Sequence, residues 1–292
     1  AQELLAAFNA AVEAIGDPLT ADDADKIVAA RTAYNALTPY ALTLVDQAKF
    51  DKLVSAEAAI GTLVDQATAK TVADMIDALT NDSSAEDVVA ASNAYDNLTE
   101  AQKAYISEAQ LAALQAQVKR VEEAVVQAKA DAFKAKVEAL GTPTFPKDKD
   151  AVEALATEYN ALEETVQAKL TETKAKLDGY VEKASKYVQL EVTFGSDRIV
   201  SKFSGYDSYY LVIYNPKDPA VSFYYAGEAS SWAACGQTTL PSKSYTQIAY
   251  DSRFAAAGNA YMYTDGGATI NFNDTESGWI CKVYGRKTEA GA

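Results

Sequence analysis

A six-residue stretch, Ala33-Tyr34-Asn35-Ala36-Leu37-Thr38, returns as Ala94-Tyr95-Asp96-Asn97-Leu98-Thr99 and again, eroded, as Glu158-Tyr159-Asn160-Ala161-Leu162-Glu163. The three tyrosines stand 61 and then 64 residues apart, a period that belongs to an array of small structural units rather than to one enzyme core. The neighbours keep the register. Ile27, Ala30, Tyr34 and Leu37 match Val88, Ala91, Tyr95 and Leu98, and then Val152, Leu155, Tyr159 and Leu162, at spacings of three and four that lay an apolar stripe along a helix. Within that stripe the tyrosine is expected to fill the gap between three helices, its hydroxyl left to a partner or to water.

Each unit reads as three helices. Leu4, Phe8, Val12 and Ile15 share one helical face before Gly16-Asp17-Pro18 stops the pattern, and Phe133, Val137 and Leu140 do the same before Gly141-Thr142-Pro143. The last helix of each unit carries Phe50, Leu53, Ile60 and Val64, then Leu111, Leu114, Val121 and Val125, and in the third unit slips to Leu170, Leu177 and Val181. Thr38 before Pro39, Thr99 with Gln102, and the equivalent trio Asp46, Ser107 and Thr171 are residue types that cap helix N-termini. Gln47–Leu79 has no proline and one glycine, and Glu108–Leu140 has neither. The last helix of one unit is therefore expected to continue into the first helix of the next, over about 45 Å for some thirty residues. The expected architecture is three three-helix bundles in series, 1–66, 67–130 and a degenerate 131–186, sharing long helices and forming a rod.

The run Ala24-Asp25-Lys26-Ile27-Val28-Ala29-Ala30-Arg31-Thr32-Ala33-Tyr34, continued by Phe50-Asp51-Lys52-Leu53-Val54-Ser55-Ala56-Glu57, resembles the three-helix repeats of cell-surface and secreted proteins of Gram-positive bacteria. The likeness covers 1–186. It implies an extracellular location and a spacer role between a wall anchor and a terminal module, and some related modules bind host serum proteins. It carries over no catalytic residue.

Past Lys186 the composition changes. Residues 187–292 hold both tryptophans, both cysteines and 12 of the 18 tyrosines. They also hold 8 basic and 10 acidic residues, leaving 18 and 31 on 1–186, so the acidity belongs to the helices. Eight short runs, Tyr187–Phe194, Ile199–Phe203, Tyr209–Tyr214, Val221–Tyr225, Tyr245–Tyr250, Ala260–Thr264, Ala268–Phe272 and Trp279–Tyr284, read as strands of an antiparallel β-sandwich or barrel. In the last of them Trp279, Cys281 and Val283 alternate with Ile280, Lys282 and Tyr284, which turns the cysteine toward a core.

A net charge of −15 repels phosphate backbones, so nucleic acid is not expected as a partner. No apolar run approaches the roughly 20 residues of a membrane span, and no basic-then-apolar signal segment opens the chain, as expected of a mature chain or of one that never carried a signal. The absence of histidine removes the commonest general base and metal ligand. A non-enzymatic, monomeric protein without cofactor or metal is expected. Cys235 and Cys281 are expected to form a disulfide, and Tyr209, Tyr224, Tyr284 and Trp232 to face outward and stack on a glycan or insert into a host surface protein. Asp265, Asn271, Asn273 and Asp274 form an oxygen-rich stretch able to gather around Ca²⁺, and Glu228 with Asp251 or Asp207 is a conceivable carboxylate pair. Two alternatives stand beside the displayed binding domain. In one the helical repeats bind a host protein and the β-domain is a cap; in the other the chain is a non-catalytic part of a larger secreted carbohydrate-active enzyme.

Overall fold

The computed structural model describes residues 2–226, 237–264 and 268–287, with Gln237 described by its backbone alone. Helices come first: α1 (Gln2–Glu13), α2 (Ala24–Asn35), α3 (Pro39–Leu42), α4 (Gln47–Asp77), α5 (Ala85–Asp96), α6 (Glu100–Lys103), α7 (Glu108–Ala139), α8 (Lys149–Ala161), α9 (Glu164–Gln167) and α10 (Thr171–Ser185). Two antiparallel four-stranded sheets follow, so the chain is all-α and then all-β. It divides into two compact units, Ala1–Val125 and Val126–Ala292.

In the first unit the expected long helix is present, since α4 runs unbroken for 31 residues. It lends Leu53 and Ala56 to an apolar core with Phe8, Val12, Ile27 and Ala30, and Val72 and Ile76 to a second core with Ala91, Leu98 and Leu114. Tyr34 sits where three helices meet, its ring 5.5 Å from Phe8 of α1 and 4.8 Å from Phe50 of α4. The expected caps form: Thr38 Oγ1 accepts from Ala41 N, Asp46 from Ala48 N, and Thr99 and Gln102 close a reciprocal capping box. Ser107 with Gln110 makes a second such box, at 3.2 and 3.1 Å. Thr171 departs from the pattern, for it is the first residue of α10 and Leu170 precedes it without a side-chain cap.

The turn between α1 and α2 is held by a buried carboxylate. Asp23, only 2% exposed, accepts from Gly16 N at 3.1 Å, Thr20 N and Oγ1 at 3.0 Å and Lys26 Nζ at 2.7 Å. A side chain at position 16 would place its Cβ 2.7 Å from the carboxylate, which explains the glycine. The Lys26 ammonium, then the Thr20 amide, hold the Asp23 carboxyl far below its usual value of 3.8. Stability linked to Asp23 is therefore complete above that value and lost as the pH falls through it toward the folded-state pKa. Asp23→Asn is expected to lower the melting temperature at pH 7, and the gap to the parent protein should narrow progressively as the pH falls below about 4, where the unfolded parent takes up a proton that the folded carboxylate does not. Thermal melts of both proteins from pH 2 to pH 7 check this.

In the second unit Ala130, Phe133 and Val137 of α7 pack with Val152 and Tyr159 of α8, Val166 of α9 and Leu177 of α10. The chain passes from α10 directly into the strands β1 (Tyr187–Leu190), β2 (Arg198–Ile199), β3 (Ser208–Asn215), β4 (Val221–Ala226), β5 (Gln237–Leu240), β6 (Ser244–Tyr250), β7 (Ala260–Thr264) and β8 (Ile280–Arg286). One sheet has the order β1-β8-β3-β6 and the other β2-β7-β4-β5. Leu211, Ile213, Cys281 and Val283 from the first face Ile199, Phe223, Tyr225, Leu240 and Met262 from the second in one core, which makes the pair a sandwich. Asn215 joins the layers: its buried Nδ2 donates to Leu240 O and Pro241 O at 3.0 and 3.2 Å.

One expected strand is corrected, and one helix is added. Ala268–Phe272 is not a strand; it meets β7 through the single bridge Tyr263–Thr269, and its alternation reflects Ile270 and Phe272 filling the core edge. Between β6 and β7 the chain forms α11 (Ser252–Ala257), capped by Asp251 and ended by Gly258 at φ 65°. The expected disulfide rests on Cys235, which lies outside the described residues; Cys281 is a free thiol in the core, where burial pushes its pKa up.

Candidate functional site

Strand pairing arranges the outer face of the first sheet as a grid. Tyr284 of β8 lies opposite Tyr210 of β3; Lys282 lies opposite Val212, which is opposite Gln247 of β6; Ile280 lies opposite Tyr214, which is opposite Tyr245. This polar and aromatic face is half covered. The α7–α8 connection crosses it, with the Phe145 ring stacked 6.2 Å from Tyr187 and Lys147 N donating to Gln247 Oε1 at 3.1 Å. Asp150, in the first turn of α8, then pairs with Lys282.

Between the first turn of α8 and the sheet remains a cleft of about 440 Å³, walled by Lys147, Asp148, Asp150 and Ala151 on one side and by Val212, Tyr245, Lys282 and Tyr284 on the other, with Ser244 at the edge. Its charges come in opposite pairs, Lys282 with Asp150 and Lys147 Nζ 3.7 Å from Asp148 Oδ1. Tyr245 is 43% exposed, with its ring 5.0 Å from that of Tyr214. Tyr284 forms the floor, its hydroxyl 3.4 Å from Asp150 Oδ1 and 3.3 Å from Gln189 Oε1. Burial, and next the Asp150 charge, push the Tyr284 phenol up, which keeps it neutral and a hydrogen donor. Chemically the cleft offers ammonium donors, carboxylate acceptors, hydroxyl groups and an aromatic face. Compared with family models, curated proteins and solved structures, the chain matches none of them.

The four expected binding residues fare differently. Tyr284 does face outward, but it is 1% exposed because α8 lies over it. Tyr209 is corrected outright: it shares the inward parity of Leu211 and Ile213, is 5% exposed and packs its ring 6.4 Å from Phe203. Tyr224 faces outward on the second sheet, half-buried, opposite Tyr263. Tyr261 stacks on Tyr263 at 6.5 Å and the Arg198 guanidinium lies 5.0 Å from the Tyr261 ring, so Tyr224 belongs to a row separate from the cleft. Trp232 lies outside the described residues.

Sequence reasoning missed Tyr245, Asp150 and Lys147. Tyr245 carried a signal in its alternation within β6, whereas Lys147, just before α8, and Asp150, in its first turn, were indistinguishable from any solvated helix start.

The oxygen-rich stretch does not converge. Asn271 Oδ1 and Asp274 Oδ1 each accept a local backbone N–H, and Asn273 Nδ2 donates to Phe194 O; Asp265 lies outside the described residues. Asp251 is occupied as the α11 cap and by Arg253, while Glu228 lies outside the described residues. Among the described residues no group of three or more acidic or cysteine side chains is placed to hold a metal ion, and no helix is long and apolar enough to cross a membrane.

Proposed function

We infer that this is a non-enzymatic, extracellular binding protein, in which helical repeats carry a β-sandwich whose cleft against α8 takes a glycan. The carrying observation is the cleft: a concave site with an exposed tyrosine ring beside two opposite-charge pairs, the combination of apolar face and few placed polar groups typical of small-ligand sites. The resemblance to Gram-positive surface repeats supports the location. Immobilised glycans offered to the full chain, to 126–292 and to 1–125 test the reading. Binding by the first two and not by the third supports it; capture by 1–125 alone contradicts it.

The helical part is read as three bundles in series, with α4 and α7 each shared by neighbouring bundles. The 61-residue register, the separate apolar cores and the uninterrupted helices support this. A chain so built is a spacer.

One observation favours a second reading, in which the helical repeats bind a protein. Val28 and Val89, Leu44 and Tyr105, and Val64 and Val125 are exposed in pairs 61 residues apart, whereas the third repeat has Glu153, Lys169 and Gln189 at these places. Residues 1–125 hold 8 basic and 20 acidic residues, so such a partner would be cationic.

A further inference from the structure

We propose that the cleft between α8 and the first sheet selects a neutral hexose residue and excludes hexuronic acids and other anionic sugars. This rests on the reading of the cleft as a glycan site and adds the class of sugar it takes. Each ammonium in the cleft stands beside a carboxylate, Lys282 with Asp150 and Lys147 with Asp148, so the four charges sum to zero. Both pairs retain bonding capacity, because an ammonium has three donors and a carboxylate about four acceptor positions.

A hydroxyl group both accepts and donates. Two neighbouring sugar hydroxyls can therefore accept from the ammonium and donate to the carboxylate of one pair without separating it. A sugar carboxylate can only accept. To reach Lys282 it must approach Asp150, and the repulsion between the two carboxylates is unrelieved by any unpaired cation in the cleft lining. The exposed Tyr245 ring supplies the face for the sugar's C–H surface. The volume of about 440 Å³ lies in the lower part of the ~300–1,000 Å³ range of small-ligand pockets, suited to one or two rings rather than to a long chain.

The test uses methyl hexosides and their matching methyl hexuronides, which differ at C6 alone, titrated calorimetrically into the full chain at 50 and 500 mM salt. The proposal expects the neutral glycosides to bind at least about tenfold more tightly, with affinity unchanged by salt because no net charge is neutralised. Tyr245→Ala should weaken them by about tenfold, and Asp150→Asn, which leaves Lys282 without its carboxylate, should raise the ratio of uronide to hexoside affinity by about tenfold. Preference for the uronide, weakening as salt rises, overturns the neutral-sugar proposal and leaves the glycan site standing. An Asp150→Asn ratio equal to that of the parent also overturns it. Failure of every glycoside to bind the parent chain overturns both.

Discussion

Alanine at position 284 is expected to cost the Val126–Ala292 unit about 3–5 kcal/mol, the usual range for removing a fully buried aromatic side chain. Tyr284 is 1% exposed although it points away from the sandwich core, because the first turn of α8 closes over it. The substitution opens a void under α8, and it takes away the hydroxyl that Asp150 and Gln189 share. Tyr284→Phe keeps the ring and should cost only about 0.5–1.5 kcal/mol, the net worth of an ordinary hydrogen bond. Urea unfolding of the two variants separates these contributions. The alkaline side gives a second readout: the folded Tyr284 holds its proton above the ordinary value of 10, so its stabilisation is complete below pH 10 and lost as the pH rises through the folded-state value. The phenylalanine variant should show less of that alkaline loss. Equal costs for Ala and Phe would mean that α8 does not pack on this ring.

Deleting the helices that cover the sheet should have the other large effect. Cut at 187, the β-strands would expose Val212 and Tyr284, now 2% and 1% exposed, and lose the Asp150 and Lys147 contacts to Lys282 and Gln247. Two such side chains are worth about 3–6 kcal/mol of burial, a large part of a domain's 5–15 kcal/mol. The fragment 187–292 is therefore expected to unfold at markedly lower urea than 126–292 and to bind no glycan, while 126–292 melts in one transition. Equal midpoints for the two fragments would show that the helices merely adjoin the sandwich.

What could be read from the residues follows the range of the physics involved. Period and caps act within a few residues, so α4, the Thr99–Gln102 box and the Asp46 cap were all legible. Strand alternation is local too, and it placed Cys281 and Val283 inward. Tyr209 stands two and four residues from Leu211 and Ile213 and must share their inward parity, so its burial, contrary to the outward expectation, lay within the same alternation. The α11 turn was marked by Asp251 and Gly258 but overlooked among strands. The cleft was beyond such signals, because it joins Lys147 and Asp150 to Tyr245 and Lys282, about a hundred residues further along, and no property of α8 alone announces a partner sheet. Tyr284 shows both sides: its outward direction was legible, its burial was not.

Hydrogen–deuterium exchange of the full chain, with and without a bound neutral glycoside, tests the central claim most directly. The account predicts added protection in peptides covering 143–151, 242–250 and 280–286 and no change across 2–125. Protection confined to the helical repeats, or to 221–226 and 260–264 around Tyr224, would contradict it.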